Sequence, residues 1–452
     1  MSIKSIPVYH MEIGWLSIIL DGLHSRRWKA CLRILIYGLN YSPELTGIGK
    51  YTGEMSAWLA ARGHEVRVVT APPYYPAWRI RDDYRGAWYR TENKPGEPVV
   101  HRTPLYVPQR PTGLKRIAHL ISFMMGSFPV MLREVFWQPE VVFTVEPTFF
   151  CAPLTLFIGK TAGAACWLHV QDFEVDAAFE LGLLPAQGPV HDGALRIEKF
   201  FTFAFDRISG ISSRMVDRAI AKGIPPERVV VFPNWVDVGA IHPLDPALRN
   251  SNPFRRELAL QVKDIDKKLI LLYSGNMGAK QGLELLAPLA QSFANDPRVH
   301  FVFCGDGAFR EKLETLVAHR PNLTMLPLQP LDKLNDLLNA ADVHLLPQRA
   351  SAADLVMPSR LSAMLASGRP VIATAHPGTQ VAQVVEGRGL AVPAEDAAAL
   401  HAAVLLMVEN EELRLRLGKQ AREYALLHLG KQQVLEQFER DLNAVAKSPF
   451  LE

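Results

Sequence analysis

Residues able to do chemistry cluster just after short apolar runs. The first cluster, NYSPELTGIGKYTG at 40–53, follows the apolar run 32–37. Its Gly47, Ile48 and Gly49 open a helical pattern, and the free N–H groups and positive dipole end of a helix start suit an anion. They do not form a dinucleotide fingerprint. That motif puts its first glycine directly after the strand, spaced G-x-G-x-x-G, with an acid about 20 residues on for a ribose hydroxyl. Here Gly53 falls one position late, and the next strand, 65–70, runs into Ala71-Pro72-Pro73-Tyr74-Tyr75-Pro76 with no acid. The simpler alternative is that the glycines only let the chain turn.

The second half of the chain repeats the pattern. An apolar run at 269–273 leads into Ser274-Gly275-Asn276-Met277-Gly278-Ala279-Lys280-Gln281-Gly282, with a helix predicted from about Gln281. A run at 299–304 leads into Gly305-Asp306-Gly307. The run 343–346 leads into Pro347-Gln348-Arg349 and a helix start at Pro358-Ser359-Arg360, where a proline and a hydroxyl prepare the N-terminus. Three such starts beside Lys280 and Arg360 point to the phosphates of a nucleotide. In the first half, the strand 165–170 ends in His169-Val170-Gln171-Asp172-Phe173-Glu174-Val175-Asp176. His169 and Asp172 could handle a proton or hold sugar hydroxyls. The alternatives are a satisfied structural histidine and helix N-caps.

The elements that position these residues alternate between β-branched runs and helical patterns, which predicts α/β architecture with parallel sheets. First-half strands are expected at 32–37, 66–70, 99–102, 141–144, 165–170, 207–210 and 229–232. Helices fill the gaps, as at 49–62 and 213–222. The pattern pauses across 233–252 and restarts with strands at 268–273, 299–304, 323–326, 343–346, 370–373 and 389–392. Two doubly wound domains facing across a cleft follow, at 31–236 and 237–427, with ligands beyond the carboxyl ends of the strands.

At 452 residues there is room for two full cores, and 48% hydrophobic against 21% charged residues describes a globular chain. A net charge of +3 with scattered basic residues argues against nucleic acid as a partner. The basic stretch HSRRWKACLR at 24–33 would suit an anionic surface or serve as a solvated linker. Four widely spaced cysteines suggest reduced thiols in the cytoplasm. Residues 1–30 read as an extension, since the apolar run at 11–20 is too short to span a bilayer and lacks a signal peptide's flanks; a mis-called start codon would explain it. Residues 114–137 form an amphipathic pattern with Lys115, Arg116 and Arg133 toward its ends. It is expected to pack on the core, with a place on a membrane surface as the alternative.

The segments ILIYGLNYSPELTGIGKYTGEM, FPNWVD, YSGNMG with QGLE, GDG with LE, and PSRLSAMLASGRPVIATA resemble retaining glycosyltransferases of family four, which have the two-domain GT-B fold. The likeness runs in order from Leu32 to about Leu427, and is greatest to bacterial colanic-acid-type transferases, which implies a GDP-sugar donor such as GDP-fucose. It implies donor binding by the C-terminal domain and acceptor binding by the N-terminal one. A final crossover segment, 428–452, would return to the first domain; Val434, Leu435, Phe438, Leu442 and Val445 give its helix an apolar face, with Gly430 as N-cap.

The donor set it implies is Gly47, Ile48, Gly49, Asn276, Lys280, Gly305, Asp306, Gly307, Pro358, Ser359 and Arg360, with Gly47 to Gly49 approaching the diphosphate from the opposite domain. Asp172 and His169 are the catalytic or positioning candidates, no metal or cofactor is required, and the acceptor is a lipid-linked saccharide at the inner membrane face. Two positions depart from the family pattern: Asn276 stands where many members have arginine, and Leu355 and Ala363 where many have a glutamate pair. Ser359 or Asp354 would substitute. The alternatives are a nucleotide-sugar 2-epimerase of the same architecture and a two-lobed sugar-binding protein.

Overall fold

The computed structural model describes residues 31–44, 47–86, 88–109, 113–146, 149–171, 188–278, 281–350 and 358–447. Asp172, Asp176, Lys280, Asp354 and Leu355 lie outside them.

The first sheet contains β1 (Arg33–Gly38), β2 (Glu65–Thr70), β3 (Arg90–Glu92), β4 (Val99–Arg102), β5 (Val141–Val145), β6 (Ala165–Val170), β7 (Arg207–Gly210) and β8 (Val229–Val231). Their order is β3-β4-β2-β1-β5-β6-β7-β8, parallel except for the antiparallel β3–β4 pair. The second sheet contains β9 (Leu269–Asn276), β10 (Val299–Asp306), β11 (Leu323–Leu326), β12 (Val343–Leu346), β13 (Val371–Thr374) and β14 (Gly389–Val392), in the order β11-β10-β9-β12-β13-β14 with every pair parallel. Helices cover the faces, so central strands such as β1 and β6 are apolar and buried on both sides. Strand order reverses at β1/β5 and at β9/β12, which places the ligand crevice of each sheet at the loops after those strands.

The chain crosses between the domains twice. Val236 N–H donates to Leu429 O at 2.8 Å, and Lys431 N–H donates back to Val236 O at 3.0 Å. The helix Lys431–Ala446 then buries Val434, Leu435, Phe438, Leu442 and Val445 in the core of the first sheet. Phe438 stacks on Phe232 at 4.2 Å and meets Phe143 and Trp167 edge-on. The linker is tied to the second sheet by Asp342, which accepts from Arg249, Arg255 and the Ile270 N–H at 2.9, 2.6 and 2.8 Å. Burial raises the Asp342 carboxyl, but the two arginines outweigh it and hold it below its ordinary value.

Three features differ from the sequence expectation. β3 was not anticipated, because its three residues are polar and half exposed at a sheet edge. β9 and β10 extend to Asn276 and Asp306, since Gly275 pairs with Gly305 and the ladder continues where side chains would have stopped it. The helix expected from about Gln281 starts later, as a 3-10 turn at Leu283–Leu285 and an α-helix at Leu286–Ser292. Gly282, at φ +60°, bends the chain there, and a Cβ on it would lie 2.9 Å from the Gln348 carbonyl carbon.

Candidate active site between the two sheets

Arg360 anchors the donor-side loops. It sits in the first turn of the helix Ser359–Ala366, and its Nη1 donates to the Tyr273 hydroxyl at 2.9 Å, while that hydroxyl donates to Asn276 O at 2.6 Å. The guanidinium lies 5.1 Å from the Tyr273 ring centre, and its buried Nε has no protein partner among the described residues. A Cβ on Gly275, at φ +131°, would come within 3.4 Å of Arg360 Cδ and Nη1. That distance is ordinary contact, so it is the positive φ, rather than the arginine, that calls for glycine there.

The neighbouring loop is joined to this one through backbone. A Cβ on Gly305 would lie 1.9 Å from Gly275 O, and one on Gly307 would lie 2.6 Å from Met277 O and 2.7 Å from Asn276 Oδ1. Met277 N–H donates to Asp306 O at 2.7 Å, and Phe309 N–H donates to Met277 O at 2.8 Å. Asp306 is exposed, and its carboxylate accepts the Gly307 N–H at 2.8 Å. Pro358 is the N-cap of the Ser359 helix and supplies no side-chain cap.

The first domain meets that helix directly. The Tyr51 hydroxyl, in the helix Gly47–Ala61, lies near Ser359, and its ring stands edge-on to Trp235 at 5.1 Å. Burial pushes the Tyr51 phenol well above its ordinary range, so it remains a neutral donor. Two helix N-termini, Gly47 and Ser359, are thus brought into one place. Gly47, at φ +60°, has nothing within 4 Å of where a Cβ would stand. Gly49 and Gly53 instead make room for their own loop: a Cβ would lie 2.8 Å from Glu44 and 2.6 Å from Ser42 Cβ, respectively. Ile48 packs against the first core. Glu44 fixes the loop by accepting from Tyr74 N, Tyr75 N and Asn40 Nδ2 at 3.1, 3.0 and 3.0 Å. Burial pushes its carboxyl up despite those bonds.

His169 is closed off from solvent. It is 4% exposed, lies against the Phe143 and Phe232 rings, and bonds Ser209 Oγ through Nδ1 at 2.8 Å. Gln171 Nε2 donates to its Nε2 at 3.0 Å, and the Gln171 amide pairs reciprocally with Asn234 at 3.3 Å. Burial lowers the imidazole pKa to about 3, so the ring is neutral across the physiological range and in this arrangement holds Gln171. Asp172, the next residue after Gln171, and Lys280 lie outside the described residues.

A second contact between the domains joins Ser213 Oγ to Gln380 Oε1 at 2.9 Å, next to an Arg214 bond to Gly378 O. The geometry adds Glu44, Tyr51, Gln171, Asn234 and Tyr273 to the residues singled out from sequence. Only Tyr51 carried a signal: it lies one helical turn after Gly47.

Similarity to known proteins agrees with this architecture. The glycosyl transferase 4-like domain matches residues 46–235, and the glycosyl transferases group 1 domain matches 255–424. A protein of Escherichia coli (strain K12) named as a colanic acid biosynthesis glycosyl transferase, WcaI, is 42% identical over 91% of this chain and 100% of its own length. Among solved structures, sucrose-phosphate synthase of Thermosynechococcus elongatus aligns with TM-score 0.68 at 18% identity over 92% of this chain and 99% of its own. Anabaena HepE in complex with UDP aligns with TM-score 0.66 at 14% identity, covering 91% and 100%. The 2-epimerase alternative finds no support in these matches. On the domain matches, the full-length relative and the paired sheets, the chain belongs to the group 1 glycosyltransferases of family four, has the GT-B fold and is a glycosyltransferase.

Proposed function

We propose that this enzyme moves a sugar from a nucleotide diphosphate donor, with GDP-fucose the first candidate, to a lipid-linked oligosaccharide during exopolysaccharide assembly, with retention and without a metal. The observation that carries the donor reading is the approach of the Gly47 helix to the Ser359 helix start, where Tyr51 lies near Ser359, beside an arginine whose buried Nε has no partner among the described residues. Cleaving a glycosyl–phosphate bond builds negative charge on the diphosphate, and fixed N–H donors and a guanidinium aimed there lower the barrier. In this reading Arg360, Lys280 and the turns at Gly305, Asp306 and Gly307 hold the phosphates, and Asn276 faces the donor where relatives carry arginine. The acceptor attacks from the leaving-group face and the departing phosphate takes its proton, so no strong nucleophile is needed. Asp172 orients the reacting sugar, and His169 acts through Gln171 as a positioning residue. The 42%-identical relative is named for colanic acid biosynthesis, which supports a polysaccharide pathway. The exposed side chains of the helix Gly113–Trp137 support work at the inner membrane face.

A melting series with GDP, UDP, ADP and TDP, each with and without EDTA, tests the donor assignment. A shift with GDP alone, unchanged by EDTA and lost in Lys280→Ala, is expected. No shift with any nucleotide would sink the donor assignment.

A further inference from the structure

A cavity of about 250 Å³ opens where the β3–β4 edge meets the helix Gly113–Trp137, away from the Arg360 loops. Arg90 comes from β3, Arg102 from β4, and Arg133 from the helix, with Pro129 and Tyr89 also on the wall. Arg67, Arg90, Arg102 and Arg133 stand against two carboxylates, Glu92 and Glu134, which leaves two positive charges in excess. Glu134 is fully buried and bonded by Arg67 at 2.8 Å, and Glu92 is bonded by Arg102 at 3.2 Å. Arg90 and Arg133 remain at the mouth, 44% and 57% exposed, at 3.8 and 3.2 Å from the carboxylates they share. His101, which lines the floor, is kept neutral: burial lowers its pKa, and Glu134 only partly opposes that.

The rim is apolar. Met125, Pro129, Arg133 and Phe136 fall at intervals of about one turn on a single face of the helix, beside Phe128. Met125, Phe128 and Phe136 are 66%, 48% and 88% exposed. Trp88, 78% exposed, directly precedes Tyr89, whose hydroxyl donates to Gly126 O of that helix at 3.1 Å. A basic cavity inside a collar of exposed aromatic and aliphatic side chains has the chemistry of a headgroup site at a membrane interface.

We propose that this cavity binds the phosphate ester of a membrane lipid, with Arg90 and Arg133 forking onto its oxygens while Trp88, Met125, Phe128 and Phe136 enter the acyl boundary. The inference rests on the peripheral-membrane reading above and names the group recognised there. Phospholipid and polyprenyl phosphates share this chemistry. Planar guanidinium groups match phosphate oxygens two at a time, which ammonium groups do not.

Flotation of the full chain with vesicles tests it, using phosphatidylcholine alone, phosphatidylcholine with phosphatidylglycerol, and phosphatidylcholine with oleate at matched surface charge. Binding should favour phosphatidylglycerol over oleate, and should fall about fivefold for Arg90→Gln and about 25-fold when Arg133→Gln is added. Arg416→Ala, a charge removed from an exposed site on the other domain, should bind as the wild type. Arg90→Lys with Arg133→Lys should lose the preference for phosphatidylglycerol. If the lysine variant binds as the wild type, or oleate recruits as well as phosphatidylglycerol, only surface charge is at work and the site is overturned. Saturable binding of glycerol 3-phosphate without vesicle recruitment overturns the lipid assignment. Arg90 touches Glu92, the Asp83 carbonyl and the Tyr84 ring at the sheet edge and none of the core clusters, so a folding failure at Arg133 leaves the Arg90→Gln arm standing. The GDP melting shift of the same wild-type preparation separates the readings: a shift without vesicle binding removes this site and leaves the transferase.

Discussion

Two glycine-bearing loops, one after β1 and one after β9, look alike in sequence and differ in what fills the space their missing side chains leave. After β1, Gly49 and Gly53 are filled by the protein itself, through Glu44 and Ser42, and only Gly47 looks onto open space. After β9, Gly275 is set by its φ of +131°, while Gly305 and Gly307 of the next loop let two backbones approach. A glycine in such a turn therefore marks either close approach, as at Gly49, Gly53, Gly305 and Gly307, or a positive φ with room beside it, as at Gly47 and Gly275, and only the second kind leaves space for a ligand.

The sharpest way to break this comparison is Gly305→Ala. A Cβ 1.9 Å from Gly275 O faces backbone that cannot rotate away, so the expected loss is about 4 kcal/mol or more, read by urea unfolding. A loss under about 1 kcal/mol would show that the two loops are not locked together. Gly53→Ala should cost about 2 kcal/mol through Ser42 Cβ, and Ser42→Gly in the same chain should recover most of it. Without that recovery, the Ser42 contact does not explain the glycine.

The same contrast bounds what the sequence could reveal. Parallel sheets, two domains and the crossover helix were legible because β-branched runs and the apolar spacing from Val434 to Val445 are local signals. The polar edge strand Arg90–Glu92 carries no such signal. Glu44 was illegible for a different reason: its partners, Tyr74 and Tyr75, lie some thirty residues away on another loop, and a lone glutamate in a turn looks solvated. His169 showed its position at a strand end but not its enclosure by Phe143 and Phe232, which comes from three separate segments. Arg360 was found because a helix start after a strand advertises itself. Its link to Tyr273 was not, since it spans 87 residues.

A smaller effect separates the polar centres of the two domains. The His169 pKa is lowered from 6.5 to about 3 in the folded chain, so its contribution is intact above pH 6.5 and is lost as pH falls through that window. At pH 5 the loss from this one ring is about 2 kcal/mol. His300 and His344, lowered to about 4 and about 3, act in the same direction in the second domain. The wild type should therefore lose stability steeply below pH 6.5, and His169→Asn should flatten the slope by about one proton. If His169 only positions Gln171, that substitution should remove no acid limb from the pH profile of the transfer rate. Loss of such a limb in the variant would make the ring a proton carrier.

Arg360→Lys tests the donor side of the comparison. Lysine keeps the charge but loses the planar contact with Tyr273 and the second donor edge, so the GDP dissociation constant should rise about tenfold with stability little changed. An unchanged constant would place the nucleotide elsewhere.

Gly47→Ala should have the smallest effect on stability and is the most informative about the acceptor-side loop. Its φ of +60° costs an alanine about 1 kcal/mol, and no neighbour lies within 4 Å to add a clash. The chain should therefore melt only slightly lower than the wild type, in contrast to Gly53→Ala one and a half turns along the same helix. Nucleotide binding gives the second reading. If the Gly47 helix start approaches the donor phosphates from the opposite domain, a methyl group there stands between backbone N–H and phosphate oxygen, and the GDP-induced melting shift should shrink. If the shift matches the wild type, Gly47 belongs with Gly49 and Gly53 as a packing residue, and the donor is held by the second domain alone.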